Sequence, residues 1–364
     1  MDLLPCCSAI LFVYRLALPV FLLAACAGPF YPQTFLPISP APELPGTIAS
    51  SHPTPSADTP GARDLPGIVP SPTPSPQPAL GTVEYTIFVP VVERASPPPT
   101  PSPEVITFAV IGDYGGGGQP EADVAALVAG WAPDFVVTTG DNNYPNGAAE
   151  TIDKNIGQFY HAFIYPYLGG YGEGADVNRF FPSLGNHDWN TDNAQPYLDY
   201  FTLPGNERYY DFTWGQLHFF VLDSDSREAD GVGASSAQAD WLRQGLAESI
   251  TPWQVVVAHH PPYSSGIHGP VDWMRWPFAG WGADLVLSGH DHTYERIHRD
   301  GIVYVINGLG GGSIYPFAII DEGSQLRYND NYGAMLVEAG EGFIRFQFIN
   351  RTGELIDAYE LVIP

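Results

Sequence analysis

The stretch Leu285-Val286-Leu287-Ser288-Gly289-His290-Asp291-His292 constrains this chain more than any other, because an apolar run stops at a glycine and delivers two histidines one residue apart. A run with no polar face reads as a strand buried on both sides. The glycine lets the backbone turn, so both imidazoles leave the sheet at one edge. Four more apolar runs close in the same way. Residues 105–111 lead into Gly112-Asp113-Tyr114-Gly115, residues 135–139 into Gly140-Asp141-Asn142-Asn143-Tyr144, residues 180–184 into Gly185-Asn186-His187-Asp188, and residues 255–258 into His259-His260-Pro261-Pro262. Ligand-type side chains at the ends of successive strands predict a site outside the carboxyl edge of an α/β sheet.

The segments between them support that fold class. Apolar stripes at helical spacing cover residues 120–131 and 152–164, and Ser235 or Ser236 opens a helix that runs to residue 247. Residues 217–222 read as a further buried strand. Beyond His292 the pattern turns to strands, at residues 302–306, 334–338, 343–349 and 355–363.

Cysteine and charge narrow the chemistry. The cysteines, Cys6, Cys7 and Cys26, all precede residue 27, so the globular part forms no disulfide and offers a metal no thiolate. Its ligands must be oxygen and nitrogen. The net charge of -26 comes from 40 acidic residues against 14 basic ones, Lys154 being the single lysine. Without a basic cluster the chain is not built to bind nucleic acid or an anionic membrane surface. An anionic substrate would need positive charge from elsewhere, and bound metal ions can supply it.

The first hundred residues read differently. Residues 1–25 hold an apolar core interrupted by Arg15 and Pro19, too short to span a bilayer, and read as a signal peptide. The closing Leu23-Ala24-Ala25-Cys26 resembles a lipobox, with Cys26 as the lipidated residue; cleavage near Ala27 by an ordinary signal peptidase is the alternative. Both imply export, and with lipidation the N-terminus is the only membrane contact. Residues 26–103, with Pro-Ser and Pro-Thr repeats at 70–76 and 97–103, cannot bury enough apolar surface to offset ordering and read as a stalk. Residues 83–92 alternate enough for a lone strand or docking segment. The globular domain is read as residues 104–364.

The candidate ligands, in chain order, are Asp113, Asp141, Tyr144, Asn186, His259, His290 and His292. Carboxylate, phenolate and amide oxygens mixed with imidazoles suit iron, manganese or zinc, and a shared carboxylate can hold two ions about 3.5–4 Å apart. Singly, a Gly-Asp pair is more often a turn. Two histidines at one strand end are harder to dismiss, because burying both rings without partners is costly.

Together these blocks resemble the calcineurin-like metallophosphoesterases and, within them, the purple acid phosphatases. The pattern Gly-Asp-x-Gly, Gly-Asp-x-x-Tyr, Gly-Asn-His-Asp, Val-x-x-His and Gly-His-x-His occurs here in that order, and Thr293-Tyr294-Glu295-Arg296 extends the last block. The resemblance covers residues 105–315 and implies a four-layer α/β/β/α sandwich of two mixed sheets flanked by helices. It implies two metal ions. The first, iron(III), would take Asp113, Asp141, Tyr144 and His292; the second, iron, zinc or manganese(II), would take Asp141, Asn186, His259 and His290, with Asp141 shared.

By the same resemblance the activity would be acid-phosphatase-type hydrolysis of phosphate monoesters, a hydroxide generated at the metals attacking phosphorus. The partner would be a small phosphorylated substrate. His187 would protonate the leaving alkoxide or clamp the phosphoryl oxygens, and His268, in a Gly-rich loop, matches a substrate-side histidine. His260 reads as a support or core residue. Trp273, Trp276, Phe278 and Trp281 read as core or pocket wall. Residues 308–312 lack the lysine of a phosphate loop and read as glycines that let backbone pass close to the metal edge. A phosphodiesterase or nucleotidase is the nearest alternative. A surface binding module with a degenerate site would be expected to have lost ligand positions, and none is missing.

Overall fold

Residues 105–363 are described by a computed structural model; the readings of residues 1–25, 26–103 and 83–92 fall outside them. The first strands are β1 (Ile106–Ile111), β2 (Phe135–Thr138) and β3 (Phe180–Pro182), which pair in parallel. They are apolar almost throughout because both faces are covered. The same holds in a second parallel group, β5 (Leu217–Val221), β6 (Trp253–Val257), β7 (Leu285–Ser288) and β9 (Ile302–Asn307).

Antiparallel strands complete both sheets. β11 (Gly333–Gly340) pairs with β1, and β12 (Phe343–Asn350) and β13 (Leu355–Val362) continue outward, giving the order β13-β12-β11-β1-β2-β3. With β4 (Tyr210–Trp214), β8 (Tyr294–Arg299) and β10 (Ser324–Tyr328), the second sheet runs β10-β8-β9-β7-β6-β5-β4. Two mixed sheets are thus packed face to face, as the motifs imply. β4, β8 and β10 were not legible as strands: few residues of β4 and β10 are buried, and β8 carries Glu295, Arg296, His298 and Arg299, with Glu295 itself buried.

The alternation of side chains sorts the core into two. In the second sheet Phe219, Val221, Val255, Val257, Leu285 and Leu287 point inward to Phe108, Phe135, Val337 and Phe346 of the first. Their neighbours Phe220, Leu222, Val256 and Val286 point outward, where Ala239, Leu242 and Leu246 cover them. Those three belong to α5 (Ala237–Glu248), whose cap is Ser236, with Oγ accepting from Ala239 N at 3.1 Å. On the other outer face α1 (Gln119–Trp131) lays Val124, Ala125 and Val128 on the first sheet. Full burial of each such side chain stabilises by about 1.5–3 kcal/mol.

The helix expected over 152–164 is broken. A short turn, α2 (Ala149–Ile152), passes into a wide turn at Asp153–Gly157, then α3 (Gln158–Tyr160) and a tight turn to Phe163. Asp153 explains the break: its carboxylate accepts from Tyr167 and Tyr200 hydroxyls at 2.7 and 2.8 Å and from Gly170 N at 2.9 Å. Chain this tied to a neighbouring loop does not stay in regular helix. Later, α4 (Gln195–Tyr200) and α6 (Phe278–Trp281) add short cover. Trp276 and Phe278 are buried, whereas Trp273 stays 44% exposed as a wall beside His260.

Candidate metal centre

The five strand-end blocks meet at one edge, where the sheets approach each other. Asp113 follows β1, and its carboxylate accepts both contacts from His290 N, at 3.2 and 3.0 Å. Asp141 follows β2 and accepts from His187 N at 2.8 Å. Tyr144 Oη lies 3.3 Å from Asp113 Oδ1, 3.1 Å from Asp141 Oδ2 and 3.0 Å from His292 Nε2. One oxygen therefore touches three other donor atoms. On the other side of Asp141, His259 Nε2 lies 3.4 Å from Asp141 Oδ2 and 3.1 Å from Asn186 Oδ1, and the rings of His259 and His290 are 5.1 Å apart. All seven sequence candidates converge, with Asp141 between the two groups.

The backbone is bent to achieve this. Asp113, Asp141 and His290 have φ of 53°, 53° and 68°, the left-handed region that side-chain-bearing residues rarely occupy. Such strain persists where surrounding structure overdetermines it, and it gathers at functional positions. Glycines clear the space. A Cβ at Gly289 would lie 2.5 Å from Asp113 Oδ2, and one at Gly308 would meet Asp291 O at 2.3 Å. The 308–312 loop thus passes within contact of the carboxylates, as its glycines suggest.

Supporting groups set which nitrogen faces the centre. His259 Nδ1 donates to Thr139 O at 2.8 Å and His292 Nδ1 donates to Ser313 O, so each presents Nε2. Tyr315 stacks on the His292 ring at 4.1 Å. Buried Asp188 accepts from Asn142 Nδ2 and Gly185 N, each at 2.9 Å, and ties the third block to the second. Asp291 accepts from His268 N at 2.9 Å, which carries the His268 ring to 4.6 Å from His290. Sequence reasoning missed Ser313 and Tyr315, which act from a loop with no pattern of its own, and gave Asp291 no role although it stands inside the last block.

The electrostatics ask for a cation. Burial lowers the His259 pKa, but Asp141 and Asp113 outweigh it and raise it to about 10. His292 is raised as well, against burial, by Asp113. Burial raises the Asp141 carboxyl, yet His259 and His187 hold it well below the usual range. Burial, Asp141 and Asp113 keep Tyr144 protonated. In the protein alone, protons on imidazoles balance the carboxylates; a metal ion in the same place would release those protons and favour phenolate. His290 is the contrast: burial and neighbouring His259 and His260 hold it neutral, a free donor.

The donor set fits metal in its spacing too. One ligand atom each from Asp113, Asp141 and His292 lie within 4.8 Å of one another, as do those of His259, His260 and His290. His260 is the less suited, since its Nδ1 faces Ser224 Oγ at 2.9 Å. His187 lies at the mouth, its Nδ1 donating to Pro145 O and its Nε2 3.9 Å from Asp141 Oδ2. A cleft of about 480 Å³ opens there, lined by Tyr144, His187, His292, Tyr315 and the glycine loop.

The chain is similar to known phosphatases. Purple acid phosphatase 17 of Arabidopsis thaliana is 27% identical over 302 residues, 71% of this chain and 82% of that protein. Tartrate-resistant acid phosphatase type 5 of Mus musculus is 24% identical over 267 residues, 62% of this chain and 77% of the relative. Among solved structures, a purple acid phosphatase from yellow lupin (Lupinus luteus) seeds superposes with a TM-score of 0.58 at 17% identity, over 72% of this chain and 54% of that one. GAP50, the anchor in the inner membrane complex of Plasmodium, gives 0.56 at 21%, over 71% and 89%. These two share the fold. The sequence model of the calcineurin-like phosphoesterases matches residues 106–294, which is more than half of the 364 and takes in every strand-end block, so the chain belongs to the calcineurin-like phosphoesterase family.

Proposed function

We propose that the protein hydrolyses phosphate monoesters at a two-metal centre. The observation that carries this is the position of Tyr144 Oη, within 3.0–3.3 Å of Asp113, Asp141 and His292. Asp113, Asp141, Tyr144 and His292 would hold one ion, iron(III), and Asp141, Asn186, His259 and His290 the other, iron, zinc or manganese(II). When bound, the pair supplies positive charge that acidifies water and polarises phosphoryl oxygens.

The chain's own groups do the rest. Thr139 O and Ser313 O keep His259 and His292 in the tautomer that presents Nε2. His187, at the cleft mouth, would serve as the proton donor to the departing alkoxide. His268 borders the substrate side beside His290. The same reading keeps the catalytic domain outside the cytoplasm, with Cys26 as the lipid-bearing residue. Among the described residues no helix is long and apolar enough to cross a membrane.

The test is turnover of p-nitrophenyl phosphate against its bis-ester by the aerobically purified, metal-analysed protein. Faster monoester turnover, together with a visible absorption band that Tyr144→Phe removes without unfolding the domain, is expected. Preference for the diester would replace monoesterase by diesterase, and a colourless active protein with zinc or manganese in both sites would end the iron assignment.

A further inference from the structure

A second groove of about 640 Å³ opens beside the metal edge, lined by Ser264, Ile267, His268, Arg299, Ile319 and Ile320 among others. His268 joins the two places, since its ring also lies 4.6 Å from that of His290. The groove is held in shape by backbone. Gly266 and Phe317 form an antiparallel bridge, Ala318 N donates to Ser265 O at 2.8 Å, and Asp321 N donates to Ser265 Oγ at 2.8 Å.

Its lips are apolar and wet. Ile319 is 85% exposed, Ile267 55% and Ile320 48%, three large aliphatic side chains on one small opening. Each leaves surface in water that a bound apolar group would cover. Charge points the same way. Arg299 is engaged by Asp321 at 2.9 Å and Glu322 at 3.8 Å, so the groove offers one cation against two carboxylates. A second phosphate or other anion would be repelled there.

We infer that this groove receives the organic half of the phosphate ester, and that the preferred group is apolar and uncharged, an aryl or branched alkyl alcohol. The inference rests on the monoesterase reading above. It makes Ile267, Ile319 and Ile320 specificity residues, and makes polyanionic esters such as triphosphates poor substrates. In this arrangement His268 stands where the apolar group leaves the phosphoryl oxygens.

The experiment compares kcat/KM for 1-naphthyl phosphate and glycerol 2-phosphate in the metal-loaded protein and in Ile267→Ser/Ile319→Ser, and follows 1-naphthol binding by its fluorescence. Both positions are exposed, so the variant should fold. The naphthyl-to-glycerol ratio is expected to fall by about tenfold or more, in line with loss of one or two methylene-sized contacts in an apolar pocket, and 1-naphthol to bind correspondingly less tightly. Ile319→Lys should raise the relative rate on triphosphate. A ratio and a naphthol affinity unchanged in the double variant would overturn the inference while leaving the phosphatase reading in place. If the wild type hydrolyses neither ester, the phosphatase reading fails and the inference with it.

Discussion

Two groups of buried carboxylates in this domain are neutralised differently. In the loop after β5, Asp225 is paired with Arg227 at 2.7 Å and Glu228 with Arg208 at 2.8 Å. At the metal edge, Asp113 meets His292 at 3.3 Å and Asp141 meets His259 at 3.4 Å, and among the described ion pairs neither takes an arginine or lysine. The difference lies in what can be exchanged. A guanidinium keeps its proton at any ordinary pH, so its charge is a permanent part of the fold. An imidazolium gives its proton up, and a metal ion can then occupy the place that the charge filled. One region is closed to ions by construction, the other is open to them.

Four changes would break or sharpen that contrast. Asp141→Ala removes the carboxylate common to both proposed metal sites; metal content should fall with it, and turnover by about 10⁴-fold or more. Stoichiometric metal and full activity in that variant would refute the shared-ligand arrangement. His187→Ala, by contrast, should keep metal while slowing alkyl phosphates about 10²–10⁴-fold and aryl phosphates far less, because only poor leaving groups need a proton. Equal losses on both would make His187 an electrostatic clamp.

In the arginine-balanced loop the effects should be structural. Arg208→Ala leaves buried Glu228 without its partner and should cost about 3 kcal/mol in denaturant unfolding, with metal content unmoved. Loss of metal there would couple the two regions. Smallest is Asp223→Asn. Burial, with Glu228 adding to it, pushes the Asp223 carboxyl well up. A raised carboxyl contributes stability below its unfolded value near 3.9, and that contribution is lost as pH rises toward the folded value. The amide has no such loss, so the variant should gain stability relative to the wild type as pH rises from 5 to 8, read by denaturant unfolding at the two pH values. An equal difference at both pH values would mean Asp223 is ionised throughout.

The contrast also explains what could be read from sequence. Asp113, Asp141, His259, His290 and His292 were visible because each ends an apolar run, and burial on both faces leaves such runs unbroken by polar residues. The parallel strands were visible for the same reason. Ser313 and Tyr315 were not, because they act from an irregular loop through a carbonyl and a ring face, neither of which imposes a residue pattern. Asp188 stood in a motif, but its role as a strap between blocks depends on Asn142, 46 positions away. The break at residues 153–157 was hidden because apolar spacing there is helical, while Asp153 bonds to a loop that the spacing does not report. Asp223 and Glu228 carry no pattern of their own, because their partners Trp189 and Arg208 stand 34 and 20 positions away.

The glycines at 112, 289 and 308 bear on transplantation. A protein engineer who copied only the seven donor side chains onto another pair of sheets would be copying the replaceable part. A methyl at Gly112 would lie 1.9 Å from Thr139 Oγ1 and one at Gly289 2.5 Å from Asp113 Oδ2, so the neighbouring chains could not close to their present separation. What such a graft would have to carry over is the set of positions with no side chain, and a search for distant kin of this site would do well to weight those absences as heavily as the histidines.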